Sequence, residues 1–300
     1  MKMAYLVLAH DDLAQLEKLL ERLVPEGSPD VAIIHADAGS PLWPQVRARW
    51  PQDNERVRIV RSPVAVRWGH WSQVAATERL VRAAHEADCD HAHFLSGADW
   101  PILSREAMAR ELAAQTLPAC HIEALPGVQE DRMQCRRLDT RWLRLDRERD
   151  RIAYALTWEL RRLSRWIDTG AALLGRERSR PYGQWRKGSC WWTLPREAIG
   201  LLARELPALI ASGRLHGTLC CDEHVVPTII AARFPDRIRP NRRYVDWSEG
   251  QSSPRVLDRS DAAEILASDA WFIRKVSARH DAFFRELRLE GAMAPAPPVC

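Results

Sequence analysis

At 300 residues the chain can form one large domain or two small ones. Its 46% hydrophobic content and mean hydropathy of −0.35 are those of a soluble globular protein, and no run approaches the roughly 18 apolar residues of a membrane span. Seven scattered cysteines (89, 120, 135, 190, 220, 221, 300) form no CxxC pair, so they exclude a patterned disulfide or zinc framework and read as reduced thiols of a cytoplasmic protein.

The N-terminus, MKMAYLVLAHDD, lacks a small-residue cleavage site and reads as a first strand at 3–9. Asp11 or Asp12 then caps a helix in which Leu13, Leu16, Leu20 and Leu23 fall at three- and four-residue steps on one face. Further strands are expected at 31–35 and 57–60. Ser72 is placed to cap a helix running to Ala87 with Val74, Leu80, Val81 and Ala84 inward. A strand at 91–95, a helix at 104–114 and a strand at 119–123 complete an alternation that implies a mostly parallel, doubly wound α/β sheet.

HAHFLSGADWP (91–101) is the stretch around which this sheet is organised. Ser96-Gly97-Ala98 breaks the strand, Asp99 and Trp100 follow, and Pro101 is expected to forbid regular pairing. Ligands of open α/β sheets bind beyond the carboxyl ends of the strands, which makes Asp99 and Trp100 acceptor-side candidates, although on this segment alone a core strand with a capping Asp at the turn is the preferred reading.

After Glu123 the alternation stops. Residues 141–167 read as Arg-rich helix. A strand at 189–194 is followed by a helix from Pro195 to about Ala203, a helix at 222–232, a strand at 244–247, a helix at 261–267 and a strand at 271–275. The tail at 291–300, GAMAPAPPVC, reads as disordered.

The net charge of +4 is uneven: residues 131–187 hold sixteen Arg/Lys against eight Asp/Glu. Six of the thirteen Trp (142, 158, 166, 185, 191, 192) lie in or just after this basic helical insert. Arg with Trp suits sugar rings and phosphates as well as nucleic acid, and it also suits a helix with a solvated Arg face. One reading is therefore a noncatalytic nucleic-acid- or glycan-binding protein.

Five loops after predicted strands carry polar or ring side chains: His10-Asp11-Asp12, His35/Asp37, Trp68-Gly69-His70, Asp99-Trp100 and Arg274-Lys275. Neither GxGxxG nor GxxxxGK[ST] occurs. His10, His35 and Asp37 raise the alternative of a metal-dependent hydrolase, but His91 and His93 lie within a strand and not at its ligand end. The one D-x-D, Asp88-Cys89-Asp90, precedes its strand and so stands at the wrong end of the sheet for a ligand-bound metal.

The ordered segments AYLVLAH, IIHADA, VRWGHWS, FLSGADWP, GSCWWTL, CDEHVVPT, RRYVDW, SSP and FIRK resemble the core-2/I-branching β-1,6-N-acetylglucosaminyltransferase and peptide O-xylosyltransferase family, glycosyltransferase family 14. The resemblance spans residues 3 to about 287 and is weakest in 131–187. It implies a GT-A-like, Rossmann-like fold in a single domain over 1–290, with a nucleotide-binding half at 1–125 and an acceptor and catalytic half at 188–290. It also implies inverting transfer of a sugar of GlcNAc or xylose type from a UDP-sugar to an acceptor hydroxyl of a carbohydrate or glycoconjugate, with no metal or other cofactor. Residue by residue, Ala9 and Asp37 would meet uracil and ribose, with Val66, Arg67 and Trp68 lining the pocket. Cys190 and Trp191 match donor-site positions, Cys190 standing where the family usually has Asp. Ser253, Arg274 and Lys275 match diphosphate-binding positions, and Glu223 matches the catalytic base. Animal members are anchored Golgi proteins; this chain looks like a soluble, bacterial-type member with no nucleic-acid partner.

The chemistry fits those roles. Inversion needs a base on the acceptor hydroxyl and positive charge on the departing diphosphate. A helix start favours the carboxylate of Glu223, with Asp222 as the better cap, and Pro227 should make that helix start irregular. The basic insert would sit on the acceptor side.

Overall fold

The computed structural model describes residues 1–134, 151–173, 178–250 and 253–277. Residues 141–150 of the expected Arg-rich helix, Cys135, Cys300 and the tail at 291–300 lie outside them. The first part runs β1 (Met3–Ala9), α1 (Leu13–Leu23), β2 (Val31–Ala36), α2 (Leu42–Arg49), β3 (Val57–Ile59), α3 (Ser72–Glu86), β4 (His91–Ser96), β5 (Asp99–Pro101), α4 (Arg105–Ala113) and β6 (Cys120–His121). It continues through β7 (Leu125–Pro126), α5 (Asp131–Gln134), α6 (Arg151–Leu156), α7 (Trp158–Leu173) and β8 (Arg186–Lys187). The last part holds β9 (Thr193–Pro195), α8 (Arg196–Ala211), α9 (Asp222–Arg233), β10 (Ile238–Arg239), β11 (Arg243–Val245), α10 (Ala262–Ala267) and β12 (Phe272–Arg274).

Among the described residues the main sheet has the order β10-β6-β9-β4-β1-β2-β3. The strands β4, β1, β2 and β3 are parallel, while β9 runs antiparallel to both β4 and β6. This is the mostly parallel, helix-flanked α/β architecture expected from the sequence. A smaller sheet, β11-β12-β5, stands beside it.

Alternation along β1 feeds two cores, as the two-residue period of a strand requires. Tyr5 and Val7 pack with α1, α2 and α4 and with the smaller sheet. Ala4 and Leu6 pack on the other face with α3, α8 and α9. Both faces are thus covered, which explains the near-continuous apolar runs of β1 and β2.

Asp12 accepts from the Gln15 N–H at 2.9 Å and caps α1, an interaction worth about 1 kcal/mol. Ser72 does not cap α3. Its Oγ accepts from the Arg67 N–H at 2.9 Å and holds the preceding loop instead. The expected strand at 189–194 is a strand only over Thr193–Pro195, although the Trp192 carbonyl still accepts from the Phe94 N–H of β4 at 2.8 Å.

Pro101 does pair, opposite Phe272. β5 is an edge strand of the smaller sheet, where a missing N–H costs no ladder bond. Pro227 leaves α9 regular from Asp222 to Arg233. The Glu223 carbonyl that Pro227 cannot serve accepts from the Gly188 N–H at 2.8 Å. No side chain fits at Gly188: a Cβ there would stand 2.0 Å from the Glu123 carbonyl oxygen. The loop before β9 is thereby fastened to the helix that carries Glu223.

Candidate active site

The parallel strands end side by side, and backbone hydrogen bonds tie their loops together. The Asp37 N–H donates to the Ala9 carbonyl at 2.8 Å, and the Gly97 N–H donates to the Leu8 carbonyl at 3.1 Å. Asp37 Oδ1 accepts from the Gly39 N–H at 2.8 Å and the Val66 N–H at 2.9 Å; Oδ2 takes part in neither bond. His35 Nε2 accepts from the Val64 N–H at 2.9 Å. Burial pushes the His35 pKa down to about 4, so the ring is neutral at physiological pH and can accept there. These bonds fix the loop at 64–68 against the end of β2. Ala9 is buried beneath it, while Arg67 and Trp68 are exposed on it.

At the end of β4, Asp99 is buried and saturated. Ser96 donates to it twice, through N–H to Oδ2 and Oγ–H to Oδ1, both at 2.9 Å. Arg274 Nη1 donates to Asp99 Oδ1 at 2.6 Å and also to Ser96 Oγ. The Arg274 guanidinium lies 4.2 Å from the centre of the Trp191 ring. Nη2 and Nε of Arg274 take part in none of these bonds. Lys275 Nζ donates to Ser253 Oγ at 3.2 Å.

Glu223 occupies the first turn of α9. Arg132 Nη1 donates to its Oε2 at 2.8 Å, and Lys187 Nζ stands 3.6 Å from the same oxygen. Those two cations are the boundary residues of the basic insert, and the Leu219 N–H donates to the Arg132 carbonyl at 2.9 Å. Both ends of the insert therefore converge on Glu223.

Asp222 is not the cap it was expected to be. Its Oδ2 accepts from Gln73 Nε2 at 3.0 Å, and its Oδ1 is buried with no partner among the described residues. Burial, and then the neighbouring Glu223 charge, push its pKa up to about 7. The folded chain thus keeps a proton between about 3.8 and about 7 that the unfolded chain has released, and native stability falls as pH rises through that window. Asp222→Asn removes this titration. The Tm of the variant should rise relative to the parent as pH rises across that window, and a difference independent of pH would contradict it.

Burial pushes the Cys190 thiol pKa well up, the Asp222 charge adds to this with smaller contributions from Glu223 and Asp99, and Arg274 opposes, so the thiol is neutral. A backbone tie runs from the Cys220 N–H to the Gly69 carbonyl at 2.9 Å, binding the loop before α3 to the start of α9.

The contacts among the sequence-derived site residues fall into groups: Asp37 with Ala9 and Val66, Arg274 with Trp191, and Lys275 with Ser253, while Glu223 is held by Arg132 and Lys187. Trp100 does not join them. It is 3% exposed and packs into the core. Asp99 serves Arg274 rather than open space. Reading the sequence missed Gln73, Ser96, Arg132 and Lys187, whose roles follow from tertiary placement; only the two cations carried a signal, as ends of the charge-biased stretch.

His10 lies by Asp11 at 3.6 Å, whereas His35 and Asp37 each hold the loop at 64–68. Among the described residues no group of three or more His, Cys, Asp or Glu is placed to hold a metal ion. Asp88 and Asp90 lie before β4, and both bind Arg196.

With this geometry in place, the matching family model puts the chain among glycosyltransferases. That model, described as Core-2/I-Branching enzyme, covers residues 3–268, and the chain belongs to this family. Among solved structures, the chain is similar to apo mouse xyloside xylosyltransferase 1, at 12% identity and a TM-score of 0.36 over 93% of this chain and 99% of that one. It is also similar to mannose-1-phosphate geranyltransferase from Thermus thermophilus, at 13% identity and a TM-score of 0.36 over 80% and 74% of the two chains. No curated protein sequence matches.

Proposed function

We propose that the chain is an inverting, metal-independent glycosyltransferase that moves a sugar of GlcNAc or xylose type from UDP to an acceptor hydroxyl. The observation that carries this reading is the strand-end cluster in which Ser96 and Arg274 converge on Asp99 while the Arg274 guanidinium lies over Trp191, a fixed cation with N–H groups left over for a diphosphate.

In this reading uracil and ribose lie on Ala9, Asp37 and the loop at 66–68. Asp37 Oδ2 receives a ribose hydroxyl while Oδ1 holds the loop. Arg274 and Lys275 sit at the diphosphate, with Ser253 beside Lys275. Asp99 and Trp191 hold the Arg274 guanidinium in place, so its remaining N–H groups are pre-aimed as charge develops on the leaving oxygen. The acceptor hydroxyl attacks the anomeric carbon opposite the leaving UDP. Glu223 takes the hydroxyl proton, the bond to the diphosphate oxygen breaks, and the product is a β-glycoside. Cys190 puts a neutral thiol where a carboxylate would contact the donor sugar, which relaxes hydrogen bonding at that position. The insert at 131–187 borders the acceptor side through Arg132 and Lys187.

UDP should raise the Tm of the parent by mass action. Asp37→Ala should weaken UDP binding roughly 10- to 100-fold, the cost of a charge-assisted hydrogen bond and the loop it secures. Parental UDP affinity in Asp37→Ala, by calorimetry, would place the nucleotide elsewhere.

A further inference from the structure

Fifteen large apolar side chains are exposed among the described residues, and seven of them fall between residues 152 and 173. On α6, Ile152 is 81% and Leu156 79% exposed; on α7, Trp158, Leu163, Trp166 and Leu173 are 52–83% exposed. Among its described side chains, those that this segment buries are polar, with Thr157 at 4% and Ser164 at 6%. Such a helix is inverted relative to a water-facing one, which turns its apolar stripe to the core.

Charge identifies the occupant. Arg162, one helical turn from both Trp158 and Trp166, and Arg165 beside them are exposed with the apolar side chains, and Arg162 lies 5.5 Å from the centre of the Trp158 ring. Glu159, the acid on this face, stands 3.8 Å from Arg162. Over residues 151–173 the sequence holds four Arg against two Asp/Glu. A second copy docked here would oppose two surfaces of like charge. A nucleic-acid backbone would answer the arginines and leave the Leu, Ile and Trp side chains in water. An anionic lipid surface answers both: indole rings settle at the headgroup level, aliphatic side chains enter the acyl boundary, and guanidinium groups meet phosphates. α7 has 16 residues, so it lies about 24 Å long, and no helix among the described residues is long and apolar enough to cross a bilayer.

We propose that α6 and α7 form a docking surface for an anionic phospholipid bilayer, lying in its interface rather than spanning it. The ends of the same insert hold Glu223, so a bilayer-seated enzyme would meet acceptors carried by that bilayer. This last consequence rests on the transferase reading; the docking does not.

The test is flotation of the full chain with vesicles of phosphatidylcholine alone or mixed with phosphatidylglycerol. The expected result is binding to the mixed vesicles, weakened by salt, with little binding to phosphatidylcholine alone. A Trp158→Ser/Leu163→Ser/Trp166→Ser variant should bind the mixed vesicles at least about tenfold more weakly while its circular dichroism and UDP-induced Tm shift remain parental. Failure of the parent to bind anionic vesicles, equal binding by the variant, tighter binding to duplex DNA than to vesicles, or a lipid-free dimer that the variant abolishes would each overturn the proposal. Loss of the UDP shift in the parent would instead count against the proposed chemistry and leave the docking result standing.

Discussion

Glu223→Gln should lower kcat by at least about a hundredfold while UDP affinity stays near parental. General-base catalysis typically contributes about 10²–10⁴-fold, and glutamine keeps the shape of the side chain while removing the oxygen that takes the proton. Both cations on this side chain bind Oε2, and Oε1 takes part in neither pair. An amide oxygen can still accept from Arg132, so the ends of the insert stay fastened and the loss reads as chemistry. Single-turnover kinetics on the two proteins check it. Near-parental kcat would move the base elsewhere, and Asp222 would be the next residue to test, because Asp99 is saturated by Ser96 and Arg274.

Arg274→Ala should lower kcat by about 10²–10³-fold, the usual effect of deleting one group that stabilises transition-state charge. It also strands Asp99, whose side chain is 2% exposed, and breaking a buried pair costs about 3–5 kcal/mol. Arg274→Lys separates the two effects. A lysine keeps a cation beside Asp99 but cannot span Ser96, Asp99 and a phosphate with one planar fork. It should recover most of the Tm and only part of the kcat. Equal kcat in parent and Arg274→Lys, or a Tm loss with no kcat loss in Arg274→Ala, would reduce Arg274 to a structural role.

The parts of the fold that were legible in the sequence are those governed by local periodicity. The apolar runs at 3–9 and 31–35 are buried parallel strands, and the Leu13, Leu16, Leu20, Leu23 stripe does turn inward on α1. What was not legible depended on long-range partners. α2 has a weak apolar stripe and contains Pro44, so nothing in its own residues marks it before Leu42 and Val46 meet the core. Pro101 could be placed in a strand only once β12 gave β5 an edge position. The irregular start expected for α9 was averted by Gly188, thirty-five residues away in sequence. Likewise the motifs marked Glu223, Arg274 and Lys275, but the bonds that position two of them come from Arg132, Lys187 and Ser96, which no local pattern ties to those motifs.

The most direct measurement is proton NMR of UDP-GlcNAc and UDP-xylose incubated with the full chain in EDTA, with water as the acceptor. One of the two should be consumed, releasing UDP and the β-anomer of the free sugar ahead of mutarotation, and Glu223→Gln should abolish the signal. An α-anomer as the first product, or consumption that stops in EDTA and returns with Mn²⁺, would contradict the inverting, metal-independent mechanism.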